Sequence, residues 1–278
     1  MNFLLVDNSN TRTKFTLSSR EKLSDWHAII PTSEISEHSL NSTLGEITWD
    51  AALISSVVPT KAKILSSLLE KYGPCHELNH QTTLPIGINY PNPEQIGADR
   101  LANAAAAFTY HGAPCVVLDF GTAVTFDVIA LSTTGVHTPA EALAKTGATA
   151  DDGASAQPMG GVQAYYQGGV IAPGLASMTE GLARRTALLP HIELDEPTRA
   201  IGQSTEEAML SGAIHGYRGL VREILKQINQ ELPSPPTVVA TGGDAALITR
   251  GLPEIKHHSA QLTLEGLRII ANLHFPNA

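Results

Sequence analysis

The fold is decided by the stretch that reads Phe3-Leu4-Leu5-Val6-Asp7-Asn8-Ser9-Asn10-Thr11-Arg12-Thr13-Lys14-Phe15-Thr16-Leu17. A short apolar run stops at a polar segment, and a strand-like pattern resumes after it, which predicts a strand, a turn and a second strand. The same pattern returns at Cys115-Val116-Val117-Leu118-Asp119-Phe120-Gly121-Thr122-Ala123-Val124. Two such units, each with an aspartate at the start of its turn, predict a duplicated domain.

The rest of the chain alternates between strand-like and helix-like segments. Buried strands are predicted at 51–58 and 237–240, and helices at 61–71, 98–110 and 204–232. Mixed strands and helices in two similar halves predict an α/β architecture. Residues from about 131 to 161 are rich in Thr, Gly, Ala and Ser, and we expect them to form an inserted loop.

Composition limits the classes of partner and compartment. The 278 residues are 42% hydrophobic, which is enough for a large core. A formal charge of −9 argues against nucleic acid and against an anionic membrane as partners. Only Cys75 and Cys115 occur, which is typical of a reducing compartment. The first apolar run ends at Asp7 and no later stretch approaches a membrane-spanning length, so we expect a cytoplasmic protein.

The two polar turns have the chemistry of a phosphate site. A strand that runs into a tight turn exposes backbone N–H groups and short polar side chains, and two such turns could hold a triphosphate. Asp7 and Asp119 would repel phosphate unless cations lay between them, so the pattern implies metal ions. Gly242 and Gly243 follow a predicted strand and would permit close approach of a flat ligand. Taken singly, each turn is better explained as an ordinary hairpin turn, and only their joint occurrence in this order favours ligand binding.

Further motifs follow in a fixed order. They are Gly97-Ala98-Asp99-Arg100, then Asp119-Phe120-Gly121-Thr122-Ala123-Val124-Thr125-Phe126-Asp127, Gly168-Gly169-Val170-Ile171-Ala172-Pro173-Gly174, Thr186-Ala187-Leu188-Leu189-Pro190 and Thr241-Gly242-Gly243. With the first turn, this set resembles the motifs of the type III pantothenate kinases, from the superfamily of sugar kinases, actin and heat-shock protein 70. The resemblance runs nearly end to end.

The resemblance implies an α/β fold of two ribonuclease-H-like, actin-like domains with the active site in the cleft between them. We expect an N-terminal domain over 1–114 and a C-terminal domain over 115–278. The implied activity is transfer of the ATP γ-phosphoryl group to pantothenate, giving 4′-phosphopantothenate in the first step of coenzyme A synthesis. A homodimer, ATP with Mg²⁺, and a monovalent cation (K⁺ or NH₄⁺) are expected with it.

On the acceptor side, the resemblance makes Asp99 the general base, which would accept the hydroxyl proton. Gly97, Ala98 and Arg100 complete the substrate motif, and Arg100 has the planar fork that suits the pantothenate carboxylate. Alternatives remain open, because an Asp early in a helix is favoured by the helix dipole and an Arg beside an Asp often forms a salt bridge. Tyr90 and Thr186 fall where the family has substrate contacts.

On the nucleotide side, the resemblance assigns the first turn to the phosphates of ATP. That assignment covers Asp7, Asn8, Ser9, Asn10, Thr11, Arg12, Thr13 and Lys14. Asp119 resembles the ligand of the monovalent cation, Thr122 a phosphate contact, and Gly242 and Gly243 the adenosine site. Asp127 is expected to support the second turn.

The sequence departs from the family pattern at Ser9, where a glycine is usual, and in the length of the 131–161 insert. Ser9 could donate its hydroxyl to phosphate or weaken ATP binding. Two other functions therefore stay open, a phosphotransferase of the same superfamily with another small acceptor and a non-catalytic accessory protein of the same fold.

Overall fold

The computed structural model of the protein describes residues 2–131 and 164–276. The strands in these ranges are β1 (Phe3–Asn8), β2 (Arg12–Ser18), β3 (Leu23–Pro31), β4 (Ala51–Ser56), β5 (Cys75–Glu77), β6 (Gly87–Ile88), β7 (Cys115–Phe120), β8 (Ala123–Leu131), β9 (Ala164–Pro173), β10 (Thr237–Gly242) and β11 (His257–His258). The helices are α1 (Glu37–Leu44), α2 (Pro59–Leu69), α3 (Ala98–His111), α4 (Leu175–Arg185), α5 (Thr205–Glu231), α6 (Ala245–Ile248) and α7 (Leu262–His274). Apart from Leu131, the predicted insert at about 131–161 lies outside the described residues.

The first sheet has the strand order β3-β2-β1-β4-β5. Strand β1 pairs antiparallel with β2 across the turn at 9–11, and parallel with β4 on its other side. All six residues of β1 are buried, because the strand lies in the middle of the sheet and is covered on both faces. The predicted strand, turn and strand are therefore confirmed.

The second sheet repeats this arrangement around β7, with the order β11-β10-β7-β8-β9-β6. Strand β7 pairs antiparallel with β8 across a turn at 121–122, and parallel with β10. The predicted α/β architecture with two related sheets is confirmed.

Helices α3 and α7 lie between the two sheets and pack against each other. One continuous core joins them to both sheets, with Phe3 and Leu5 from β1, Val117 from β7, and Leu101 and Leu267 from the two helices. Helix α3 presents mostly alanines to this core, so its backbone approaches its neighbours closely. The predicted domain boundary between residues 114 and 115 stays a prediction. Two contacts connect the segments on either side of it, because β6 pairs with β9 and α7 contacts β1.

The first strand of each hairpin extends further than the sequence predicts, whereas β4 ends at Ser56, two residues before the predicted end at 58. The sequence pattern starts each turn at its aspartate, whereas Asp7 pairs with Lys14 and Asp119 pairs with Thr125 inside the ladders. The local polarity of these residues suggests a turn, but the ladder hydrogen bonds continue for another residue or two. Each carboxylate therefore projects from a rigid strand end. Within the described ranges, no helix has both the length and the apolar character that crossing a bilayer requires.

Candidate active site

The first turn holds the Asp7 carboxylate between two donors. Asp7 is 3% exposed, and its Oδ1 accepts a hydrogen bond from Ser9 Oγ at 3.1 Å. Its Oδ2 forms an ion pair with Lys14 Nζ at 3.2 Å. Lys14 is the residue opposite Asp7 in the β1–β2 ladder, so the register of the hairpin creates this pair.

A buried hydrogen-bond network fixes the shape of this turn. Asn8 Nδ2 donates to Thr13 Oγ1 at 2.7 Å, and Ser56 Oγ donates to Asn8 Oδ1 at 2.6 Å. Thr32 Oγ1 donates to the Ser9 carbonyl at 2.7 Å. Asn8 and Thr13, two of the residues predicted to contact ATP, thus use their side chains inside the protein. The side chains left at the surface are those of Asn10, Thr11 and Arg12.

The substrate motif opens helix α3. Gly97 is the N-cap, and a Cβ there would lie 2.5 Å from Asp99 Oδ1, so the glycine makes room for that carboxylate. Ala98 is buried in the core. Asp99 Oδ1 accepts from the backbone N–H of Arg100 at 2.8 Å. Burial raises the pKa of Asp99 to about 6, and the negative charges of Asp119, Asp7 and Asp127 contribute to that rise.

The second turn is held from helix α3. Asn103 Nδ2 donates to Asp119 Oδ2 at 3.0 Å, and Thr263 Oγ1 of α7 donates to Asn103 Oδ1 at 2.8 Å. Burial raises the pKa of the Asp119 carboxyl, and the Asn103 hydrogen bond opposes the rise. Gly242 of β10 has a φ of +95°, and a Cβ there would lie 2.6 Å from Asp119 Oδ1. This glycine is required by the protein's own packing, a constraint that the sequence pattern did not suggest.

Three aspartates from separate elements lie close enough together for their charges to interact. Asp7 comes from β1, Asp119 from β7, and Asp99 from the first turn of α3. The charges of Asp7 and Asp119 both raise the pKa of Asp99, and that of Asp7 also raises the pKa of Asp119, so the carboxylates act on one another electrostatically. Carboxylate oxygens suit hard cations. Among residues 2–131 and 164–276, however, no group of three or more His, Cys, Asp or Glu side chains could by itself hold a metal ion.

Arg100 forms its ion pair with Asp127 of β8. Its Nε lies 2.7 Å from Asp127 Oδ1, and the Asp127 side chain is fully buried. The Arg100 Cζ lies 5.8 Å from the ring centroid of Tyr166. Tyr90 packs edge-on against the same ring with centroids 6.2 Å apart, so both Tyr90 and Arg100 lie next to Tyr166. A Cβ at Gly168, whose φ is +110°, would lie 3.1 Å from the Tyr90 ring.

The other predicted contact residues lie at the surface. The carbonyl of Thr122 accepts from Ser177 Oγ at 2.8 Å and from the Gly174 N–H at 3.0 Å, which ties the second turn to α4. Gly243 is exposed just after β10. Thr186 is also exposed, and its Oγ1 donates to the Leu182 carbonyl at 2.9 Å. None of the contacts described for Thr186 connects it to the three aspartates.

Sequence reasoning assigned no role to three residues of this site, although Thr125 lies within one of the recognised motifs. Asn103 follows Asp99 by one helical turn, and that spacing could have placed both on one face of α3. Tyr166 and Thr125 become part of the site through their hydrogen bonds to Asp127. No local pattern marks Tyr166, because it lies 39 residues from Asp127 along the chain.

Comparison with known proteins bears on the fold and on the family of the chain. At 12% sequence identity, the chain shares its fold with a protein from Sinorhizobium meliloti described as a putative 2-dehydro-3-deoxygalactonokinase, with a TM-score of 0.58 and coverage of 99% of this chain and 98% of that one. This likeness confirms the predicted fold class. A type III pantothenate kinase from Akkermansia muciniphila is 52% identical over 274 residues, which cover 99% of this chain and 100% of the relative.

The same family name recurs at lower identity. A type III pantothenate kinase from Methylacidiphilum infernorum is 37% identical over 97% of this chain and 88% of its own length. The family model described as type III pantothenate kinase matches residues 3–148 and 161–227, which include both hairpin turns and the segment that carries Asp99. With most of its length matched in this way, the chain belongs to the type III pantothenate kinase family.

Proposed function

We propose that this protein transfers the γ-phosphoryl group of ATP to the primary hydroxyl of pantothenate and so forms 4′-phosphopantothenate for coenzyme A synthesis. The observation that carries the proposal is the meeting of Asp7, Asp99 and Asp119 at one site, in a chain of this family. Phosphoryl transfer depends on alignment of the nucleophile and on neutralisation of phosphate charge, and the site offers groups for both tasks.

Asp99 is the group that would accept the proton of the acceptor hydroxyl. A carboxylate whose pKa is raised to about 6 is still ionised at neutral pH but is a stronger base than an exposed aspartate. Its Oδ1 already accepts a hydrogen bond from the Arg100 N–H, which leaves Oδ2 for the acceptor. Gly97 and Ala98 would shape the backbone of this acceptor site.

The two turns would bind the nucleotide. Lys14 and the exposed Asn10, Thr11 and Arg12 supply donors for phosphate on one side, and Thr122 supplies them on the other. Gly243 leaves an open surface at the end of β10 for the adenosine end.

The donors at the site fit cations. Asp7 would contact Mg²⁺ that arrives with ATP, and Asp119 would bind K⁺ or NH₄⁺. Bound cations would neutralise the charge between these carboxylates and the phosphates. Because the described side chains form no complete metal site, we propose that the phosphate oxygens provide the remaining ligands.

The acceptor carboxylate would bind Arg100, and the Tyr90 ring would cover the apolar part of the molecule.

The exposed Thr186 would complete this site from a second copy of the chain. Three apolar side chains near it in the sequence are exposed, with Met178 at 39%, Leu182 at 47% and Leu188 at 89% exposure. Exposed apolar side chains of this kind mark interfaces, and they support the expected homodimer. Sedimentation should give a dimer at micromolar concentration, and a monomer would contradict this part of the proposal.

A cytoplasmic location is part of the same proposal. It is supported by the thiols of Cys75 and Cys115, which are unpaired as expected in a reducing compartment.

The function is tested by incubating the purified protein with ATP, Mg²⁺, K⁺ and a panel of acceptors that contains pantothenate, a sugar and a sugar acid. We expect 4′-phosphopantothenate, identified by mass spectrometry, as the product. Phosphorylation of another acceptor instead would indicate a different phosphotransferase. No product from any acceptor, with folded protein at high ATP, would favour the non-catalytic accessory function.

A further inference from the structure

The fully buried carboxylate of Asp127 receives three hydrogen bonds. Arg100 Nε donates to Oδ1 at 2.7 Å and the Tyr166 hydroxyl donates to the same oxygen at 2.8 Å. Thr125 Oγ1 donates to Oδ2 at 2.9 Å. These donors compensate a charge that would otherwise be very costly to bury. They also fill the space around both oxygens, so Asp127 is not placed to bind a cation or a substrate itself.

The ion pair with Asp127 determines which nitrogens of the Arg100 guanidinium group remain available for a ligand. The ion pair uses Nε, on the side of the guanidinium group. No hydrogen bond within the described ranges uses Nη1 or Nη2, and the side chain retains 15% exposure. A guanidinium held at Nε still presents the edge formed by its two terminal nitrogens, which matches the two oxygens of a carboxylate.

The Tyr166 ring fixes the guanidinium from a second direction. It is fully buried, its hydroxyl is bonded to Asp127, and its face lies under the Arg100 Cζ at 5.8 Å. The Asp127 carboxylate thus fixes both the Tyr166 ring and the Arg100 Nε. An arginine restrained in this way loses little further rotational freedom on binding its ligand.

We propose that Asp127 is a positioning residue that, with Tyr166, orients the terminal nitrogens of Arg100 toward the carboxylate of the acceptor and so sets the preference for an acidic acceptor. This inference rests on the proposed pantothenate kinase function. It gives Asp127 a role in acceptor specificity, whereas the motif alone suggests only support for the second turn.

The test compares two acceptors that differ at one group, pantothenate and its alcohol analogue, in which the carboxylate is replaced by a hydroxymethyl group. The wild-type protein should prefer pantothenate. In Asp127→Asn, the KM for pantothenate should rise roughly 10- to 100-fold, as expected when a binding group is displaced by about 1 Å. The KM for ATP and the kinetics with the alcohol should change little, because neither uses the Arg100 and carboxylate contact.

A second network, in which an arginine and a tyrosine also share one carboxylate oxygen, provides the control. Arg268 Nε donates to Glu265 Oε2 at 2.8 Å, and the Tyr110 hydroxyl donates to the same oxygen at 2.7 Å. Glu265→Gln therefore changes an equivalent carboxylate outside the site and should leave the KM for pantothenate unchanged. Tyr166→Phe, which removes one hydrogen bond and no charge, should shift acceptor preference in the same direction as Asp127→Asn by a smaller factor, and it decides the matter if Asp127→Asn does not fold.

The outcomes separate the inference from the proposed function. If the wild-type protein phosphorylates neither acceptor, the proposed function fails, and this inference fails with it. If the wild-type protein is active but the variants lose the same factor in kcat/KM with both acceptors, or lose nothing, Asp127 does not position Arg100 and only this inference is overturned.

Discussion

The side-chain amide of Asn103 donates a hydrogen bond of 3.0 Å to Oδ2 of Asp119 and so connects helix α3 to the end of strand β7. Thr263 donates to the other end of the amide, which determines that the NH₂ group faces Asp119. Because Asp99 lies one turn earlier on the same helix, α3 carries both the proposed base and the group that holds the proposed cation ligand. Helix α3 therefore connects the proposed acceptor site to the proposed nucleotide site.

Replacing Asn103 with alanine should disturb both stability and nucleotide binding. The change removes the side-chain donor that Asp119 has in a partly buried position, so we expect a loss of about 1–3 kcal/mol in the free energy of unfolding. The KM for ATP should rise, and more K⁺ should be needed for half-maximal activity. Urea unfolding and initial rates at several K⁺ concentrations measure these effects. Asn41→Ala, on the exposed face of α1, controls for the loss of an asparagine side chain. An Asn103→Ala protein with wild-type stability and a wild-type KM for ATP would refute the role of Asn103 in holding Asp119.

The pKa of Asp99 predicts the pH dependence of the reaction. The carboxyl must be ionised to accept a proton, and its pKa is raised to about 6. We therefore expect kcat/KM to rise as the pH increases through about 6 and to level off above it. Rates measured between pH 5 and 8, with circular dichroism to verify the fold, would contradict this assignment if they were the same at pH 5 and pH 7.

Alanine substitutions at the neighbouring Gly242 and Gly243 should differ in their effect on thermal stability. Gly242→Ala would place a Cβ 2.5 Å from the backbone of Phe120 at a φ of +95°, so the thermal midpoint should fall sharply. Gly243→Ala meets nothing within 4 Å of its Cβ and should leave stability unchanged. A rise in the KM for ATP in Gly243→Ala alone would support the proposed adenosine site. Equal stability of the two variants would show that β10 does not pack against Asp119 and Phe120 as described.

Ser9 lies where the resemblance to the family leads us to expect a glycine, and its hydroxyl donates to Asp7 Oδ1 at 3.1 Å. Ser9→Gly removes this hydrogen bond from Asp7 Oδ1 and leaves more room for phosphate at the turn, so the variant should preserve or lower the KM for ATP. Ser9→Ala removes the hydroxyl while keeping the Cβ, which separates the two contributions. A clear loss of ATP affinity in Ser9→Gly would mean that the hydroxyl serves phosphate binding instead.

Local patterns in the sequence are sufficient for the principal elements. They predict both hairpins and the long helix α5. In the structure, Ser204 caps α5 by accepting a hydrogen bond from the Glu207 N–H. The pairing of β6 with β9 could not be predicted, because a strand of two residues has no periodicity and its partner lies 78 residues away. The packing of α7 against α3 is equally non-local.

In the candidate site, too, local motifs can be predicted from the sequence and non-local contacts cannot. Asp7, Asp99 and Asp119 can be found because each belongs to a motif that is recognised along the chain. The partner of Arg100 cannot, since adjacency in sequence suggests Asp99 whereas the fold supplies Asp127, 27 residues away. Pairing of side chains across a core depends on tertiary distances, which the order of motifs does not contain.

The most direct test of the account is a single-turnover measurement of phosphoryl transfer from ATP to pantothenate by Asp99→Asn beside the wild-type protein. Burial raises the pKa of Asp99 above its ordinary value of 3.8, so ionisation opposes folding more strongly as the pH rises, and the neutral amide in the variant should make the protein at least as stable at pH 8. Loss of activity could then not be attributed to unfolding. We predict that the variant binds both substrates and transfers phosphate roughly 10²- to 10⁴-fold more slowly. Transfer at the wild-type rate would contradict the assignment of Asp99 as the base.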